Sequence, residues 1–145
     1  MEKEKNKYQK EKIITEYSLE TSDLPSIVAE SGAGVYASTF FDFADASGYS
    51  KDILANMLNI SVKTLMRYRN SRTRMNPQNS EHLIKLFALY RKGIQVFNSI
   101  VSFNRWLEKP AYGLGGNIPF NYLNTISGID LILEELTKIE YGDLA

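Results

Sequence analysis

Five cations and no acid lie between Ser61 and Met75: Lys63, Arg67, Arg69, Arg72 and Arg74. Arg and Lys at such density suit phosphates and guanine edges, and the Ser61 and Thr64 hydroxyls can pair with several bases. The opposite charge gathers at the other end, where Ser127–Ala145 holds five acids and one lysine. Other candidate chemistry is thin. His82 is the single histidine and there is no cysteine, which excludes a His/Cys metal cluster, a Cys–His pair and any disulfide. Leu114-Gly115-Gly116-Asn117 has glycines but neither a preceding strand nor the spacing of a phosphate loop, so a tight turn is expected there. Glu134 and Glu135 are adjacent on a predicted helix and diverge rather than pair. Trp106 suits a core better than a ligand platform. No catalytic site assembles, and neither a cofactor nor a metal is expected.

These residues need elements to position them. Asn76–Asn98 is the organising stretch, with Asn76 as N-cap and Pro77 at the first helical position. Leu83, Leu86, Phe87, Tyr90, Ile94 and Phe97 recur at helical spacing, and Ile84, Ala88, Leu89 and Val96 form a second apolar row. A helix apolar over so much of its girth packs on more than one side. Gly93 would weaken a free helix by roughly 1 kcal/mol against alanine, so a close neighbour is expected there. Upstream, the Lys/Glu alternation of residues 1–20 reads as a solvated arm. Ser22 or Asp23 then caps a short helix with Pro25 in its first turn, closing at Gly32. A helix over Val35–Ala46 carries Tyr36, Phe40, Phe43 and Ala44 on one face and stops at Gly48. Ser50 caps Lys51–Leu58. Downstream come a helix through Ser102–Leu107, a loop over Pro110–Asn117, a short helix from Pro119 and a last helix over Ser127–Ile139. No useful strand and no repeat is visible, so the expected fold class is all-α.

The 145 residues, 43% apolar and 23% charged, suit one domain or two small ones sharing a core. No apolar run reaches the roughly 18 residues of a membrane helix, and the charged N-terminus is no signal peptide, so a cytoplasmic protein is expected. Lys plus Arg equals Asp plus Glu, at 17 each, so net charge is silent and only its distribution informs.

Within Lys51–Asn70, Leu54, Leu58, Ile60 and Leu65 can pack two short helices together. Ala55 is small at the closest approach, Asn59 tolerates a left-handed turn, and Ser61 caps the second helix. These offsets resemble the helix-turn-helix of Xre-type repressors. In that geometry Ser61, Lys63, Thr64 and Arg67 face the major groove, while Arg69, Arg72 and Arg74 suit phosphates.

After the central helix come Ser102-Phe103-Asn104-Arg105-Trp106-Leu107-Glu108-Lys109-Pro110, then Leu114-Gly115-Gly116-Asn117-Ile118-Pro119-Phe120, Leu123, Thr125, Gly128 and Tyr141-Gly142. The order resembles the toxin-binding domain of Xre/MbcA/ParS-type antitoxins, from about Met75 to Ala145. The resemblance divides the chain into an N-terminal arm and short helix (1–33), an Xre-like module (34–75) and a toxin-binding domain (76–145). It implies a RES-domain toxin as partner, an enzyme that destroys NAD or transfers ADP-ribose from it. It also implies operator DNA as a second partner, a homodimer and a toxin–antitoxin hetero-oligomer, and no membrane. On the last helix Ile129, Ile132, Leu136 and Ile139 are expected to dock inward. Asp130, Glu134, Glu135, Glu140, Tyr141 and Gly142 would then face the toxin, with the tail to Ala145 short enough to enter a concave site. Acidic charge there would suit a cleft built for anionic NAD. The alternative is a stand-alone helix-turn-helix regulator whose C-terminal domain dimerises or senses.

Overall fold

The computed structural model describes residues 1–21 and 23–142, with the backbone alone at residues 19 and 20. Asp143, Leu144 and Ala145, together with Ser22, lie outside the described residues. The fold is all-α. Eight helices follow one another among the described residues: α1 (Glu2–Glu20), α2 (Leu24–Ala33), α3 (Ala37–Ser47), α4 (Lys51–Met57), α5 (Val62–Ser71), α6 (Pro77–Phe97), α7 (Ile100–Leu107) and α8 (Ile126–Glu140). Two 3-10 turns, Tyr112–Leu114 and Pro119–Tyr122, bridge α7 to α8. None of these helices is long and apolar enough to cross a membrane.

The central helix α6 is the axis. The Asn76 side chain accepts the Asn79 N–H at 2.7 Å, and Asn98 closes the helix in the left-handed region at φ 68°. Leu83, Ile84, Leu86, Phe87, Leu89 and Tyr90 are buried around its girth, against α1, α2, α3, α7 and α8. Gly93 has the close neighbour its position implies. A Cβ there would lie 2.4 Å from the Phe103 ring, so α7 crosses α6 where α6 has no side chain. An aromatic chain threads the contact: Tyr17 on Phe87, Phe87 on Phe43, Phe43 on Tyr90, Tyr90 on Phe103. Each such pair is worth about 0.5–1.5 kcal/mol beyond the area it buries.

Three boundaries differ from the sequence reading. Residues 2–20 form a helix rather than a solvated arm. Lys, Glu and Gln are good helix formers, and Ile14, fully buried, with Tyr17 on Phe87 docks the second half on α6. The second helix runs past Gly32 and ends on Gly34, whose φ is 89°. There a Cβ would fall 2.5 Å from the Met75 carbonyl oxygen, so the close approach of two backbones selects this glycine. The third helix starts at Ala37, not Val35, because Val35 is held extended. Its N–H donates to Ser80 Oγ at 2.9 Å and its carbonyl accepts from Met75 N–H at 2.8 Å.

Candidate functional site

One face is formed by α4 and α5 before α6, and a second by α8, which runs along α6. On the first, Ser50 caps α4 by accepting the Ile53 N–H at 3.2 Å. Leu54, Ala55, Met57 and Leu58 are buried. Asn59 takes φ 58°, and Ser61 then caps α5 by accepting the Thr64 N–H at 3.0 Å. Leu65 is the buried residue of α5. The helix is therefore anchored by one side and presents the rest. Lys63, Met66, Arg67 and Asn70 line a shallow open depression along it. Ser61 and Thr64 lie at its start, where the Ser61 hydroxyl donates to Thr64 Oγ1 at 2.7 Å.

The arginines divide. Arg67 is exposed, 5.7 Å from the Tyr68 ring, and Arg72 is exposed at the left-handed end of α5, φ 54°. Arg69 lies over the Phe41 ring at 4.2 Å. Arg74 is a brace: it lies over Tyr36 at 4.5 Å and donates from Nη1 to the Gly34 carbonyl at 3.2 Å. Arg69 and Arg74 are thus held by aromatic faces.

On the second face, Ile129, Ile132 and Leu136 are fully buried against α6. The acidic residues do not all face outward as expected. Glu135 is buried, 3% exposed, beneath the Tyr112–Leu114 turn, where a Cβ on Gly113 would overlap its carboxylate. Its Oε1 has no hydrogen-bond partner within the protein. Asp130 is paired with Lys85 at 3.0 Å and Glu140 with Lys92 at 2.6 Å, two bridges that staple α8 to α6. Glu134 does point outward. The exposed stripe of α8 is Ser127, Leu131, Glu134, Lys138 and Tyr141, at spacings of four and three. Its two charges cancel, so this face is amphipathic and near neutral, with Tyr141 79% exposed. Gly142 follows at φ 88°. The tail residues expected beyond it lie outside the described residues.

The aromatic block gathers at the C-terminal end of α6. Trp106 is half-buried and stacks on Phe97 and Phe103. The glycine turn is closed on itself: Gly115 N–H donates to Tyr112 O, Gly116 N–H to Ala111 O and Asn117 N–H to Leu114 O. Those amides are spent inside the turn, which leaves no phosphate cradle. Tyr112, 76% exposed, stands at its rim. Sequence reasoning missed a polar seam that joins the halves. Tyr90 OH donates to Asn104 Oδ1 at 2.6 Å, Asn104 Nδ2 donates to the Ser47 carbonyl at 2.7 Å, and Tyr49 OH donates to Glu108 at 2.9 Å. Burial and the neighbouring Glu108 carboxylate push the Tyr49 phenol well above its ordinary range. Only long-range contacts reveal such a seam.

His82 is buried, and its Nε2 lies 2.8 Å from the Leu123 carbonyl. A carbonyl only accepts, so Nε2 carries the proton. Burial lowers its pKa below the ordinary 6.5, outweighing the opposite pull of that hydrogen bond. A histidine whose folded pKa is depressed binds its proton more readily when unfolded, so stability falls as pH drops through 6.5 toward the folded pKa. The denaturant midpoint should therefore decline between pH 7.5 and 5.5, and His82→Gln should flatten that decline. An equal decline in the variant would assign it elsewhere.

Compared with known families, residues 92–142 match the model of the antitoxin Xre/MbcA/ParS C-terminal toxin-binding domain. The match spans the last turns of α6, α7, both 3-10 turns and α8. No curated protein matches the chain.

Proposed function

We propose that this chain is the antitoxin of a toxin–antitoxin pair. Its C-terminal domain inhibits a RES-domain, NAD-consuming toxin, and α5 carries operator DNA binding through which the chain represses its own operon. The family match over residues 92–142 carries the first half of this reading. The surface that domain presents supports it: an outward stripe on α8 with Tyr141 at its end, and a second exposed tyrosine, Tyr112, on the adjoining turn. The second half is supported by the other end of α6. There two capped helices joined at Asn59 hold Lys63 and Arg67 on an exposed face with no acid from Ser61 to Met75. A pair of copies would read a two-fold operator, with one α5 per half-site.

The decisive experiment co-expresses the chain with the product of the neighbouring reading frame, which this reading expects to be a RES-domain toxin, and measures cellular NAD. Restored NAD and a co-purifying complex are expected; depletion that persists despite soluble chain overturns the inhibitor reading. In a gel shift on the upstream region, Lys63→Ala with Arg67→Ala should weaken binding by about tenfold, the scale of a lost base contact. Retained NAD depletion alongside this DNA loss would leave the stand-alone regulator.

A further inference from the structure

The first half of α1 buries almost nothing. Residues 1–9 are exposed, and its only large apolar side chains, Met1 and Tyr8, point outward at 98% and 68% exposure. It nevertheless runs beside the end of α3 and the start of α7, with a hollow of about 250 Å³ between them. Lys3, Lys7 and Lys10 line that hollow opposite Ser47, Gly48 and Val101. At ~100° per residue these three lysines share one face of α1, while Glu2 and Glu4 fall about 100° to either side of Lys3. The walls of that hollow are mostly apolar while Lys3 and Lys7 stay exposed, so the outer edge of the row is what suits an anion.

The row also leads somewhere. Lys10 lines a second hollow with Phe41 and Lys51 at the start of α4, and the ring of Phe41 carries Arg69 of α5. Asp45 also lines that hollow, with Asp42 close to it, so carboxylates offset part of the positive charge there. The cations thus step from α1 to the start of α4, beside the ring that carries Arg69 of α5.

We propose that Lys3, Lys7 and Lys10 contact the phosphates flanking the site read by α5, so that α1 lengthens the DNA footprint. The inference rests on the DNA-binding reading of α5. Phosphate contacts position a protein without reading sequence, and each adds about 0.9 to the slope of log affinity against log salt. The partner is therefore duplex backbone rather than a particular base.

The test compares full-length chain with Lys3→Gln/Lys7→Gln/Lys10→Gln and with Lys5→Gln/Lys12→Gln, which lie on the far side of α1. Glutamine keeps helix propensity, so α1 remains formed. Binding is titrated against salt on two equal-length duplexes, the chain's own upstream region and an arbitrary sequence. The triple variant should lose up to about 2.7 of slope on both duplexes, with the preference between them unchanged. The far-side variant should match wild type. An unchanged slope in the triple variant, while Lys63→Ala/Arg67→Ala still lowers the preference, overturns this inference and leaves the α5 reading standing. Equal losses in both lysine sets assign the effect to diffuse charge and overturn it as well. Loss of toxin binding with an unchanged slope gives the row to an acidic protein surface instead. Failure of wild type to bind either duplex removes both readings.

Discussion

Gly128→Ala should lower the unfolding free energy by about 3 kcal/mol and the melting temperature by about 10 °C. A Cβ at this position would sit 1.8 Å from the Tyr122 carbonyl oxygen and 2.9 Å from Thr125 Oγ1. The first neighbour is backbone and cannot rotate away. Either the Pro119–Tyr122 turn or the first turn of α8 must move. Moving α8 breaks the cap in which Thr125 accepts the Gly128 N–H at 3.0 Å, a loss of about 1 kcal/mol. Moving the turn pulls Leu123 from His82 and strands a buried donor at a cost of about 1–3 kcal/mol. Alanine's advantage in helix propensity, at most about 1 kcal/mol, is smaller than either route with its strain. Toxin binding should fall with stability, since both routes displace the α8 stripe. Thermal and denaturant unfolding measure the effect directly, and a melting temperature within two degrees or so of wild type would show that the two segments slide apart cheaply. Gly113→Ala is the milder comparison, because there the obstacle is the Glu135 carboxylate, the end of a side chain.

What the sequence made legible was local. The caps at Ser50, Ser61 and Asn76 and the left-handed turn at Asn59 each depend on residues within a few positions, and each side-chain or backbone signal stands in the structure. The all-α fold and the crowded neighbour of Gly93 follow from the same kind of reading. What it hid depends on partners far along the chain. The helix of residues 2–20 has almost no amphipathic signal; Ile14 and Tyr17 help seat it, and the surfaces of α6 and α3 are what tell it to dock. Gly34 and not Gly32 ends α2 because Met75 arrives there from far along the chain. Glu134 and Glu135 are indistinguishable as neighbours; the turn at Gly113 decides which of them is covered. Asp130 and Glu140 read as outward acids until Lys85 and Lys92 are placed opposite them. The charge segregation visible in the chain is real at α5 and largely cancelled at α8.

That cancellation changes how the C-terminal face should bind. With Asp130 and Glu140 already paired to lysines and Glu135 covered, electrostatic attraction to the cleft of the proposed toxin has little left to work with beyond Glu134. Inhibition should then depend on shape and aromatic contact. Tyr141, exposed at the end of α8 in line with Leu131 and Glu134, is the side chain placed to supply it. Exposed aromatic residues that become buried on binding are the usual carriers of interface energy. Deleting residues 141–145 should therefore weaken toxin neutralisation by about 30-fold, or about 2 kcal/mol. Tyr141→Ala alone should produce most of that loss, while Glu134→Gln should change affinity by less than about threefold and mainly slow association. Operator binding should be untouched in all three, because α5 lies at the far end of α6 from this tail. Neutralisation titrated in parallel with gel shifts separates the effects. Full neutralisation by the deletion variant would move the inhibitory contact upstream, to the rim formed by Tyr112, and Tyr112→Ala would then carry the loss instead.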